Sequence, residues 1–466
     1  MLFITLDKTS ICSVLLFLCF VVNSVWAAGL NEEFTWTRID FAWPSDGKLT
    51  PRLAYRGSPY ESADEEAFYF RGPTNAENVA IKNHSIINTQ QTVNKTKSES
   101  VTSRGSIDYR YVNNIPMGAN VWGDKLFITI PRRRLGVPST LNYVPLNSIN
   151  RHNVPLIPYP NWDINIFSNG SENAQNFVSV YRVAIDSCDR MWFVDTGIIE
   201  IVGNPQTIKP HQLIIINLKT GAVTHRFNIP ADYLTPRTIL SSVTVDVTKD
   251  TCDDAFAYFP DLAGFGLTVF SLSEERFWRV NHNYFYVEPL AGDFFIAGHN
   301  FQWSDGVFSV ELGELKQDGF RDMYFHSMAG THMYKVSTKI IKNQTLATRS
   351  YHGDDFEVVG DRGPQSQTAM ADLNKSTGVM FLGLVNQNAV GCWNTNSNLN
   401  TISIVQKDDE RMIYPSDVKV YGDKVYILTN TMPEFLYGRL DYDRVNFRVW
   451  SNDIHIAITG TRCQRR

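Results

Sequence analysis

Along most of this chain apolar and polar residues follow one figure. A short apolar run is followed by a polar or Gly-containing turn and then by a second apolar run. "NVWGDKLFITIP" from Asn120, "RVAIDSCDRMWFVDTG" from Arg182 and "VTVDVTKDTCDDAFAYFPD" from Val243 show it. So do "FQWSDGVFSVEL" from Phe301, "TAMADLNKSTGVMFLGLV" from Thr368 and "DVKVYGDKVYILTN" from Asp417. In Met191-Trp192-Phe193-Val194 the apolar residues are consecutive, which predicts a strand buried on both faces. Tyr, Phe, Trp, Val, Ile and Thr dominate the runs, while Asn, Asp, Gly and Pro punctuate them, as strands and turns require.

Six such units recur at spacings of about 50 to 65 residues, which predicts an all-β, six-bladed β-propeller. Two stacked β-sandwiches would explain the length but not the regular spacing. The alternating stretch Phe34 to Pro44 is a candidate to complete the last blade, so that N- and C-terminal segments close the ring and shield its edge. "ERFWRVNHNYFYVEPL" near Glu275 also has strand character. The expected organisation is a signal peptide over 1–27 and a single propeller domain over 28–466, carrying an insertion at about 61–106. In Asn83–Ser106, 14 of 24 residues are Ser, Thr, Asn or Gln. That composition cannot bury enough apolar surface for a core, so the insertion reads as flexible and glycosylated.

Lys8, the apolar run Ile11 to Val22 and the small residues ending in Ala27-Ala28 make a secretory leader, and the run is too short to span a bilayer. The chain therefore reads as secreted, with no membrane span. Past the leader remain Cys188, Cys252, Cys392 and Cys463, an even number suited to an oxidising compartment. Three connectivities are open to four cysteines. Cys188 and Cys252 sit in neighbouring units and Cys392 and Cys463 share the C-terminal part, so those two pairs are expected. Sequons at Asn83, Asn94, Asn169, Asn343 and Asn374 are candidate glycosylation sites.

A formal net charge of −5 over 466 residues, with no long basic stripe, argues against nucleic acid as a partner. Arg132-Arg133-Arg134 reads as a solvated loop. No Gly-x-Ser-x-Gly elbow, His-Glu-x-x-His or phosphate loop occurs, and no metal or cofactor is expected.

"LFITIPRRRLGVPSTLNYVP", "MWFVDTG", "YFPDLAGFGLTVF", "FQWSDGVFSVELG", "VNQNAVGCWN" and "YPSDVKVYGDKVYILTNTMP", in that order, resemble the insect yellow / major royal jelly protein family. The resemblance runs from about Leu126 to Pro433 and implies a secreted six-bladed propeller. Two features depart from it. The insertion before Ile107 is long, and Arg133 stands where an aromatic residue, commonly Trp, is expected. For function it implies cuticle or eggshell pigmentation or hardening, by binding or converting catecholamine-derived compounds in a dopachrome-conversion-like reaction. The family also includes amine-binding, storage and structural proteins. A small aromatic amine or aminochrome is the expected ligand, and the extracellular matrix of cuticle or eggshell a further partner.

Polar residues at strand exits supply the candidate site. Asp195 and Thr196 end one unit's strand and Asp261 another's, while Asn386 and Asn388 follow a third and Asn430 and Thr431 a fourth. Phe265, Trp303 and Phe325 lie near in sequence. An acid beside aromatic faces suits a protonated amine, or a base acting on an acidic carbon. The competing reading is that these side chains tie down turns by bonding backbone amides. A calcium-dependent lactonase-like propeller would want Glu at such positions, and none is there.

Overall fold

In a computed structural model that describes residues 29–45, 49–53, 105–167 and 175–464, the apolar runs pair into six four-stranded antiparallel sheets arranged as a six-bladed propeller. Blade one holds Gly118–Trp122, Lys125–Thr129, Leu141–Pro145 and Ile157–Pro158. Blade two holds Ala184–Ile185, Arg190–Asp195, Gln212–Asn217 and Ala222–Asn228. Blade three is built from Thr244–Asp246, Phe256–Asp261, Gly266–Ser271 and Arg276–Val280. Blade four runs from Val307–Leu312 through Asp322–Ser327 and His332–Ser337 to Phe356–Asp361. Thr368–Asn374, Val379–Leu384, Ala389–Asn394 and Ser403–Lys407 make blade five. Blade six joins Pro415–Tyr421, Lys424–Thr429 and Phe447–Asp453 to the N-terminal strand Asn31–Trp36. The first strands of successive blades touch in a closed circuit, blade six returning to blade one.

The consecutive apolar residues of each strand have a direct cause. Met191 and Phe193 point into the seam with blade one, beside Phe127 and Leu141. Trp192 and Val194 point into the seam with blade three, beside Ala257, Phe259 and Phe270. Side chains alternate across a strand, so a strand between two seams must be apolar at every position. The same rule fills the other seams. Tyr258 and Trp278 meet Phe325 between blades three and four, and Val379 and Phe381 meet Ile427 and Trp450 between five and six.

Closure follows the expected route with a shifted boundary. Asn31–Trp36 pairs antiparallel with Phe447–Asp453. Beyond Trp36 the chain leaves the blade, and Phe41 bridges to Leu156 of blade one. The N-terminal stretch therefore crosses the seam between the last blade and the first, with Phe34 and Trp36 wholly buried in it. Disulfides join Cys188 to Cys252 and Cys392 to Cys463.

Two expectations are corrected, and the packing bears on a third. Phe301 and Gln302 belong to a separate hairpin, Asp293–Ile296 with His299–Gln302, and only Val307–Leu312 of that unit is a blade strand. Near Glu275 only Arg276–Val280 is a strand, and the rest forms short 3-10 turns. The packing of Asn374 disfavours a glycan there in the folded chain. Asn374 is buried, its Oδ1 accepts from Ser376 and Thr377, and its Nδ2 donates to the Gly422 carbonyl at 3.3 Å. Asn343 is exposed, while Asn83, Asn94, Asn169, the leader and most of the 61–106 insertion lie outside the described residues. Among the described residues no helix is long and apolar enough to cross a membrane.

Candidate functional site

The six expected ligand residues lie on one face of the ring, but none of them lines its cavity. The five polar ones are each committed to backbone groups, and Phe265 packs on another ring. Asp195 is fully buried, accepts the amides of Val178 and Ser179 at 2.8 Å each, and pairs with Lys209 at 3.0 Å. Thr196 donates its hydroxyl to the Ser179 carbonyl. Asp261 accepts the Ile239 and Gly264 amides at 2.9 Å, the Thr238 hydroxyl at 2.7 Å and Arg279 at 2.8 Å. Asn430 donates to the Pro116 carbonyl at 2.8 Å and accepts the Met432 amide. Asn386 accepts the Phe295 amide at 2.9 Å and donates to the Asp293 carbonyl, holding the hairpin Asp293–Ile296 in place. Phe265 packs against Tyr286 with ring centres 4.9 Å apart, and Phe325 is in the core between blades. Asn388 and Thr431 take left-handed conformations, with φ of 48° and 53°.

The reason is topological. The second strand of a blade runs antiparallel to the first, so its exit lies beside the segment that leads into the first strand. Exit residues there find the unpaired amides and carbonyls of the lead-in segments and satisfy them. Those lead-in segments carry the residues that do line the cavity. Met117 precedes the first strand of blade one, Tyr181 and Arg182 that of blade two, and Ser241 that of blade three. Asp305 precedes that of blade four and Tyr414 that of blade six. Asp195 thus fixes the chain before Tyr181, Asp261 the chain before Ser241, and Asn430 the chain before Met117.

The cavity has a volume of about 720 Å³, within the range of small-molecule sites. Trp303, Tyr414, Tyr437, Tyr181 and Phe308 give it aromatic walls. Trp303 stacks on Tyr414 at 6.2 Å between ring centres, and Phe301 supports Tyr437 from behind at 4.9 Å. The helix Met432–Tyr437 forms one side and is clipped to the 293–302 hairpin by His299 Nε2 and Glu434 Oε2, 2.7 Å apart.

Among these walls sits the carboxyl of Asp305, and Glu200 is the second carboxyl that lines the cavity. Burial pushes Asp305 up from its ordinary value to about 7, although Arg133 and Arg182 and a hydrogen bond from Trp303 all favour its charged form. A carboxyl poised near neutral pH can both accept and return a proton. Burial likewise raises Tyr437 to about 12, helped by the charge of Asp305, and raises Tyr414 strongly for the same reasons. Both phenols stay protonated and can donate hydrogen bonds.

The arginine run, expected to be solvated, is the main revision. Arg132 is buried and donates to the carbonyls of Val137, Phe177, Val178, Pro138 and Asn165, and burial lowers it to about 9. Arg133 and Arg134 line the cavity. The hairpin Ile198–Ile199 with Gln206–Thr207 covers this loop, and the Glu200 amide donates to the Arg132 carbonyl at 2.9 Å. Three consecutive arginines in a turn look solvated until the fold closes over them. The one signal in the sequence was the resemblance, which leads to the expectation of an aromatic residue where Arg133 stands.

The chain belongs to the yellow / major royal jelly protein family, whose pattern matches residues 178–463. It is 40% identical over 376 residues to the protein named L-dopachrome tautomerase yellow-f of Drosophila melanogaster, covering 80% of this chain and 86% of that one. It is 33% identical over 459 residues to the protein yellow of Drosophila yakuba, covering 97% of this chain and 74% of that one. Among solved structures, virginiamycin B lyase from Staphylococcus aureus aligns with 73% of this chain and 95% of its own, at 11% identity and a TM-score of 0.38.

Proposed function

We propose that this is a secreted protein of pigmentation or of cuticle or eggshell hardening, which binds an aminochrome of the dopachrome type in the cavity and tautomerises it. The observation that carries the reading is Asp305, poised near pH 7 between aromatic walls and arginines. The similarity to a protein named as an L-dopachrome tautomerase supports the substrate class.

Tautomerisation of dopachrome moves two hydrogens from carbons of the five-membered ring to the two quinone oxygens. No oxidant or reductant is consumed. Ionised Asp305 takes a proton from a ring carbon while the C–H electrons pass into the quinone. The carboxylic acid so formed protonates one quinone oxygen, and the regenerated carboxylate then takes the second ring-carbon proton as the other oxygen is protonated, which completes both transfers. Arg182 holds a fixed positive charge nearby, paired with buried Asp417 at 3.8 Å and with its terminal nitrogens bound to Ser416 and Ser241. It stabilises developing oxyanion charge without moving. Trp303 and Tyr414 offer faces for the ring.

A protonated amine fits less well. Four arginines, Arg110, Arg133, Arg134 and Arg182, line the cavity against two carboxyl groups, Asp305 and Glu200. Purified protein should accelerate loss of dopachrome colour over buffer. Asp305→Asn should slow it by about a hundred-fold or more, the usual worth of a general base. No acceleration by the wild type would remove the enzymatic reading and leave a binding protein.

A further inference from the structure

Among the cations of this cavity, three are already engaged. Arg182 donates to the Ser416 carbonyl at 2.8 Å and lies over Phe308. Arg110 pairs with Asp108 at 3.2 Å. Arg134 stacks on Phe435 at 4.3 Å and donates to its carbonyl at 3.3 Å. Arg133 differs. Among the described residues its side chain makes no hydrogen bond and no ion pair; its Nε is buried without a hydrogen-bond partner, as is that of Arg182, whose other nitrogens are bound and which pairs with Asp417 at 3.8 Å. Asp305 is near enough for Arg133 to favour its ionised form, yet the two make no ion pair.

A buried guanidinium nitrogen without an acceptor is costly, so such groups are found satisfied by the protein or by what it binds. Guanidinium has a planar fork that matches a carboxylate with two parallel hydrogen bonds. The cavity thus presents two separate functions in one space. Asp305 carries a carboxyl that can take a proton, and Arg133 carries donors with nothing to bind.

We infer that Arg133 is a specificity-determining residue that binds the ring carboxylate of the substrate, so that the protein selects aminochromes that keep this carboxylate over those that have lost it. This rests on the aminochrome reading above and adds the substrate class and the residue that sets it. Arg133 and Asp305 line the same cavity, so a ring whose carboxylate lies on Arg133 shares that space with the Asp305 carboxyl. Arg133 positions and recognises the substrate, and no bond to it forms or breaks.

The test compares L-dopachrome with dopaminechrome, the same ring system without the carboxylate, as substrates of the full-length secreted protein. Wild type should show a higher kcat/KM for L-dopachrome. Arg133→Gln should lower the ratio of the two kcat/KM values by about ten- to a hundred-fold, the worth of a hydrogen bond to a charged group. Arg133→Lys, which keeps the charge but not the fork, should fall between them. On wild type alone, indole-2-carboxylate should inhibit more strongly than indole, which holds the test open if Arg133→Gln does not fold. Equal turnover of both substrates by wild type, or a ratio unchanged in Arg133→Gln, overturns the role of Arg133 while leaving the tautomerase reading standing. Turnover of neither substrate overturns both.

Discussion

Asp195 accepts the backbone amide of Ser179 at 2.8 Å, and through that bond an exit residue of one strand holds the segment that brings Tyr181 and Arg182 to the cavity. The second oxygen holds Val178 and pairs with Lys209. Asp195→Ala should therefore cost about 3–5 kcal/mol, as expected when one member of a buried charged network is removed. Urea denaturation should register the loss. A variant as stable as wild type would mean that the lead-in segment holds its shape unaided.

Ring closure depends on the N-terminal strand. Phe34 and Trp36 are wholly buried between blades six and one. Trp36→Ala should cost about 3–5 kcal/mol, the range for truncating a large buried aromatic residue. Thermal melting checks this, and a loss under about 1 kcal/mol would show that the seam is held by the backbone ladder alone.

Each disulfide links parts of the chain far apart in sequence, with separations of 64 and 71 residues. Replacing both cysteines of either pair by Ser should cost about 2–4 kcal/mol. Peptide mapping under non-reducing conditions should recover both pairings.

How much of this was legible beforehand can be argued residue by residue. Met191 to Val194 announced a strand between two seams because both of its faces are apolar. The cysteine pairs followed once their blades were placed. The strand-exit acids and amides do form a repeated feature, and they bond segments next to the cavity rather than lining it. Yet repetition pointed to the scaffold, since each blade has the same amides to satisfy. The cavity itself is built from residues that do not repeat. Arg133 sits in a connection, and Trp303 and Asp305 follow an irregular hairpin. Their burial arises only when segments distant in sequence converge, so no period or spacing marks them.

Glu311 carries a second raised carboxyl, away from the cavity. Burial lifts it from 4.5 to about 8, with a hydrogen bond from Ser309 opposing. A group whose folded value is raised contributes stability that is complete below its unfolded value and is lost as pH climbs through its folded value. Wild-type melting temperature should thus fall between about pH 5 and 9 relative to that of Glu311→Gln. Parallel curves for the two proteins would show that Glu311 ionises normally.

Glycan occupancy separates two sequons that look alike. Asn343 is exposed, and its Oδ1 caps the Leu346 amide at 3.0 Å. Asn374 is buried with its amide nitrogen engaged. Mass spectrometry of the secreted protein should find a glycan on Asn343 and none on Asn374. A glycan on Asn374 would contradict the packing of blade five against blade six.

The pH dependence of kcat/KM for L-dopachrome, corrected for the uncatalysed reaction, tests the role of Asp305 most directly. Asp305 must be ionised to take a proton from carbon, and its carboxyl is raised to about 7. The rate constant should rise through a single step near pH 7 and level off above it. Asp305→Asn should lack that step and fall about a hundred-fold on the plateau. The same step in Asp305→Asn, or a wild-type profile flat from about pH 5 to 8, would contradict the assignment of Asp305 as the base.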